Sequence, residues 1–75
     1  MKDLVSYLVK SLADHPEKVD VSESDQNGTL RLQLTVSEED KGKIIGKQGK
    51  VIKAIRSVAS AAAAKAGKRV AVDLD

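Results

Sequence analysis

The sequence predicts an α+β fold: three helices packed on one face of a three-stranded mixed sheet, in the order α-β-β-α-α-β. Three observations point there. Apolar residues recur every three or four positions near the N-terminus and again between residues 50 and 66, but alternate with polar ones around residues 19–36 and 70–74. Asn27-Gly28 is a two-residue hairpin signal set between two alternating runs. The stretch from the second strand to the third holds two helices, a crossover that places those strands parallel.

The first helix rests on Leu4, Val5, Leu8, Val9 and Leu12, with Asp3 as its N-cap and Lys10, Ser6 and Ser11 on the other side. Pro16 turns His15 away from helical geometry, so the helix ends near Asp14. His15 reads as a linker residue with no evident partner. Val19 and Val21 alternate with Asp20 and Ser22, and Asp25-Gln26-Asn27-Gly28 supplies the turn. In the second strand, Thr29 to Val36, Leu30, Leu32, Leu34 and Val36 face one side while Arg31, Gln33 and Thr35 face the other. Ser37 followed by Glu38, Glu39 and Asp40 is a helix start, with a hydroxyl cap and acids where the helix dipole favours them. Gly46 and Gly49 interrupt this second helix, and a third begins near Gly49 or Lys50. On its helical wheel Val51, Ile52, Ile55, Val58, Ala59, Ala62, Ala63 and Ala66 form an inner stripe, opposite Lys53, Arg56, Ser57 and Ser60. Gly67 stops the helix. Val70, Val72 and Leu74 make the last strand.

The chain of 75 residues is read as one small domain, 1–75, with too little interior for a deep catalytic cavity. It has no cysteine and one histidine, which removes thiolate chemistry, zinc–thiolate centres and histidine pairs. No apolar run approaches a membrane span and the N-terminus lacks a signal-peptide core, so a cytoplasmic protein is expected. Charge is unevenly spread. Residues 1–40 carry four basic and nine acidic side chains (net −5), and residues 41–75 carry nine basic and two acidic (net +7), summing to +2. Between Lys41 and Arg56 there are six basic residues and no acid, which suits a polyanion or a solvated helix face.

The chemistry concentrates in Gly42-Lys43-Ile44-Ile45-Gly46-Lys47-Gln48-Gly49-Lys50-Val51-Ile52. Two glycines three apart allow a tight turn and close approach to the main chain. The helix beyond Gly49 points free N–H groups and its positive dipole end at that turn, and Lys47 and Lys50 add full charges. Such a turn suits phosphodiester oxygens; it also reads as a bare helix–turn–helix corner. It is not a nucleotide P-loop, which needs four residues between its glycines and then Gly-Lys-Ser/Thr, nor a Gly-x-Gly-x-x-Gly dinucleotide fingerprint. Lys43 and Lys50 flank the turn and are assigned to phosphates. Lys53 and Arg56 extend the positive track or serve as solubility charges, and Lys65, Lys68 and Arg69 are more remote candidates.

Ile45-Gly46-Lys47-Gln48-Gly49-Lys50-Val51-Ile52 resembles the Ile-Gly-x-x-Gly-x-x-Ile signature of KH domains. The element order is similar to the type II, bacterial form of that fold. Over essentially the whole chain the sequence resembles the small stand-alone bacterial KH proteins of the KhpA (YlqC-like) family. The resemblance implies that Gly46, Lys47, Gln48 and Gly49 clamp the backbone of about four nucleotides. It further implies that Ile45 forms the apolar side of the base groove and that Ile52 anchors the third helix in the core. The groove's far wall would be sheet and the loop before the last strand, which here holds little more than Gly67 and Lys68.

Tyr7 is the only aromatic residue, so bases cannot be held on aromatic platforms as in RRM or OB-fold modules. The expected function is non-catalytic binding of single-stranded RNA with broad specificity, weak per module and salt-sensitive. The resemblance adds a role as RNA chaperone or post-transcriptional regulator, self-association as a homodimer, and pairing with a larger KH-containing partner of the KhpB (Jag-like) type. The alternatives are a protein-interaction or dimerisation module and a binder of single-stranded DNA. No cofactor, metal or small-molecule substrate is expected. Glu38, Glu39 and Asp40 read as dipole and capping residues, without a histidine or cysteine to share chemistry.

Overall fold

In the computed structural model, which describes residues 1–75, the chain forms α1 (Lys2–Leu12), β1 (Asp20–Gln26), β2 (Thr29–Thr35), α2 (Glu38–Ile45), α3 (Lys50–Lys65) and β3 (Arg69–Leu74). A single 3-10 turn lies at Pro16–Lys18, and Lys47–Gly49 is a tight turn with left-handed backbone at Gln48 and Gly49. The sheet order is β1-β2-β3. β1 and β2 pair antiparallel from Asp20 opposite Thr35 to Gln26 opposite Thr29, and β2 and β3 pair parallel, with Leu32 opposite Val72. The parallel pairing follows from the two-helix crossover.

Asn27 (φ 54°) and Gly28 (φ 83°) make the hairpin turn alone. Two successive positive φ values are the type I′ geometry that Asn-Gly accepts. Asp25 and Gln26, read from sequence as turn, are paired in β1 with Leu30 and Thr29. Their polarity reflects an edge strand whose far end has outrun the helical layer, because Glu23 and Asp25 share Val21's face yet are exposed. On β2, Leu30, Leu32 and Leu34 are buried and Arg31, Gln33 and Thr35 exposed, so the helices cover one face of the sheet only.

Two further readings are corrected. The N-cap of α1 is Met1, and Asp3 sits inside the first turn; the helix starts two residues earlier than its apolar stripe because Lys2 and Asp3 need no core contact. The inner stripe of α3 is also narrower than its wheel. Ile52, Ile55, Ala59 and Ala63 are buried, whereas Val58 is 45% exposed and Ala66 is exposed. One ridge of α3 meets the sheet. The remaining apolar side chains of its stripe border α1, where only Val5 and Val9 are buried and Leu4 and Leu12 stay more than a third exposed. α3 ends as the glycine requires: Gly67 (φ 71°) lets its N–H reach Ala64 O (3.0 Å) and the Lys68 N–H reach Ala63 O (2.9 Å), a Schellman motif.

Candidate functional site

α2 and α3 meet at Gly46–Gly49, where three of four residues have positive φ: Gly46 77°, Gln48 57° and Gly49 73°. The two glycines are needed for different reasons. A Cβ on Gly46 would lie 2.8 Å from Val51 N and inside the Val51 side chain, so the turn closes against α3 only without one. At Gly49 there is room, and only the left-handed backbone asks for glycine. Gln48 holds left-handed geometry with a side chain attached, a small strain of the kind that collects at functional turns.

The turn leaves donors available. The Gly46 N–H is taken by Gly42 O (2.8 Å) and that of Gly49 by Gly46 O (3.2 Å), while those of Lys47 and Gln48 have no backbone acceptor. They sit at the start of α3, where the dipole favours an anion. Lys47, Gln48, Lys50 and Lys53 are exposed, and no carboxylate pairs with Lys47, Lys50, Lys53 or Arg56. Lys50, Lys53 and Arg56 follow one another at intervals of three and form a ridge leading away from the turn. Ile45, just before the turn, is 40% exposed, and Ile52, just after it, is buried.

Arg56 closes the far end of this ridge. Its Nε donates to Val72 O (2.9 Å), spanning from α3 to β3. β3 pairs only with β2, so the bond falls on the sheet's open edge. Backbone alternation places the Val70 and Val72 polar groups on that edge. A shallow cleft between α3 and β3 is lined by Arg56, Ser60, Val70, Ala71, Val72 and Asp73.

Lys43 is placed differently from the other lysines. Its Nζ lies 2.8 Å from Asp14 Oδ1, and this partner raises its pKa. At 100° per residue it sits about 200° around α2 from Ile45, on the side of the α1–β1 linker. The geometry thus sets Gly46, Lys47, Gln48 and Gly49 at the head of the α3 ridge of Lys50, Lys53 and Arg56, with Ile45 just before the turn, and leaves Lys43 on the linker side.

The linker contacts were missed from sequence. Asp40, fully buried, accepts from the backbone N–H groups of Asp14 (3.0 Å) and His15 (2.9 Å) and from the Ser37 hydroxyl (3.1 Å). Burial pushes its pKa up, and these three donors more than offset that, holding it below the usual carboxylate value. His15 has a partner after all: its Nε2 lies 2.8 Å from Glu39 Oε2, and that hydrogen bond, opposed by partial burial and helped by the charges of Glu39, Asp40 and Glu17, raises the imidazole pKa. Ser37-x-x-Asp40 was the available signal. It reads as a capping box, but Asp40 uses its carboxylate on a segment some 25 residues earlier.

A mixed three-stranded sheet in the order α-β-β-α-α-β, with a Gly-x-x-Gly turn between α2 and α3, defines a type II KH domain. The chain belongs to the KhpA/KhpB KH-domain family, whose model matches residues 2–74; it is not a family of enzymes. RNA-binding protein KhpA of Halalkalibacterium halodurans is 49% identical over 74 residues, covering 99% of this chain and 97% of its own. RNA-binding protein KhpA of Clostridium perfringens is 51% identical over 74 residues, 99% of either chain. Two solved structures share the fold. Aquifex aeolicus Era bound to GDP.AlF4- superposes with a TM-score of 0.67 at 21% identity, over 97% of this chain and 28% of its own. Era in complex with MgGDPNP and nucleotides 1506–1542 of 16S ribosomal RNA gives 0.66 at 22% identity, also over 28% of that longer chain.

Proposed function

We propose that residues 1–75 act as one KH module that binds single-stranded RNA without catalysis, gripping its sugar-phosphate backbone at Gly46–Gly49. The observation that carries this reading is the turn itself: a main chain with glycine at both ends, two unengaged N–H groups at the head of α3, and unpaired lysines within the turn and just after it, Lys47, Lys50 and Lys53. The name RNA-binding protein carried by the KhpA relatives supports it. Phosphates meet the Lys47 and Gln48 N–H groups and the side chains of Lys47, Lys50 and Lys53. Bases lie past Ile45 toward the α3–β3 cleft, whose open edge offers backbone donors and acceptors without favouring one base. Lys43 is left out of the contact set because Asp14 holds it. Broad specificity of this kind fits an RNA chaperone or post-transcriptional regulator in the cytoplasm. Self-association, or pairing with a KhpB-type chain, would raise the affinity of so small a module.

Fluorescence anisotropy with a labelled single-stranded RNA at two salt concentrations tests the site. Three phosphate contacts give a slope of about −2 in log affinity against log salt, at roughly −0.7 per contact on a single strand. Lys47→Asp/Gln48→Asp is expected to reduce binding at least about tenfold with the fold retained by circular dichroism. Unchanged binding would remove the turn from the interface. Equal affinity for DNA of the same sequence would make the chain a general single-strand binder.

A further inference from the structure

We infer that Asp40 is a positioning residue for the Gly46–Gly49 turn, an inference that rests on the reading of that turn as the RNA contact. α2 is eight residues long and buries two side chains, Asp40 and Ile44, one helical turn apart. Ile44 enters the core beside the turn and by itself would serve as a pivot. Asp40 supplies the second point. Its two oxygens take the Asp14 and His15 N–H groups separately, at 3.0 and 2.9 Å, which fixes the direction of the helix as well as its distance from the linker. It is the one buried polar side chain of the protein. A buried carboxylate is tolerated only when its hydrogen bonds are all made, as they are here.

The other links between the same segments, Lys43–Asp14 and His15–Glu39, are exposed and hold α2 less firmly. The turn depends on the pose of α2 because Gly46 sits against Val51 with no room to spare. A small rotation of α2 about Ile44 drives Gly46 into Val51 or opens the contact. Either movement takes the Lys47 and Gln48 N–H groups out of line with Lys50 and Lys53.

Asp40→Asn tests this, because an amide has one acceptor oxygen and sets its NH2 against the second backbone N–H. Val21→Ala, on the far strand, is the control for stability lost without touching α2. Binding of a fluorescent oligouridine at two salt concentrations and the backbone amide resonances of Gly46–Gly49 are read at a temperature where all variants are folded. Asp40→Asn is expected to bind about tenfold more weakly with a shallower salt slope, and to shift the turn amides, while Val21→Ala matches the parent. Parent-like binding with unmoved amides, or an equal loss in both variants, overturns the inference. Lys47→Asp/Gln48→Asp is run alongside. If it binds as the parent does, the RNA reading of the turn fails, and the amide shifts of Asp40→Asn decide the positioning role by themselves. Should Asp40→Asn not fold, Ser37→Ala removes one of the three donors; a smaller shift of the same amides is expected, and none overturns it.

Discussion

Gly46 and Gly49 have the same letter in the same signature, but physically they are different residues. Both need left-handed φ, while only Gly46 faces a neighbour that a methyl group would strike. Gly49→Ala should therefore cost about 1–2 kcal/mol, the usual penalty for a side chain in that conformation. Gly46→Ala adds overpacking against Val51 and should cost roughly 2–5 kcal/mol, enough to threaten a domain of this size. Urea unfolding of the two variants checks the order, and equal losses would mean that the Val51 contact relaxes freely. Gln48 shares the strained geometry with a polar side chain free in solvent. Strain there is consistent with a turn shaped for a ligand rather than for stability alone.

At the scale of elements, α2 is the least self-sufficient. Its tie to the α1–β1 linker is polar, so it carries a pH dependence whose sign can be worked out. Glu39 raises the pKa of His15 above 6.5, and the stability from that pair is fully present below pH 6.5 and lost as pH rises through the raised value. Asp40 is lowered from 3.8, so its contribution is present above that value and lost as pH falls through the lowered one. Thermal melts of the parent and Glu39→Gln should differ most just below pH 6.5, where His15 is protonated, and converge as pH rises through its raised value. A difference that does not change with pH would show that the contact works without the imidazole charge. The hairpin and the end of α3, by contrast, are set by local chemistry at Asn27-Gly28 and Gly67.

For the whole molecule, the uneven charge acquires a geometry. The basic second half contains the Gly46–Gly49 turn and α3, so Lys47, Lys50, Lys53 and Arg56 present one unpaired positive line. A second surface lies between α1 and α3, where Leu8, Leu12, Val51, Ala54, Ile55 and Val58 border an almost wholly apolar depression. Tyr7, 70% exposed, adds to the apolar surface of α1. This is where the proposed self-association would bury surface. Val58→Asp should leave the fold intact, because Val58 is 45% exposed. Sedimentation equilibrium should find dimer in the parent and monomer in the variant. A parent that stays monomeric at about 100 µM, where contacts of micromolar affinity would be filled, rules out this strip as a homodimer surface.

Features that depend on neighbours along the chain were legible in the residues alone. The period of apolar residues, Asn27-Gly28, the Ser37 cap, Gly67 and the Gly-x-x-Gly turn with its flanking isoleucines each act within a few residues, so element order and the turn could be read directly. Tertiary structure decided what depends on distant partners. It narrowed the buried ridge of α3, left Val58 and Leu12 uncovered, and brought Arg56 onto the free carbonyl of Val72. It also took Lys43 away from the turn by pairing it with Asp14, and gave Asp40 and His15 partners some 25 residues apart. Periodicity records which side of an element is apolar. What covers that side, and which charge meets which, is settled only when the elements pack.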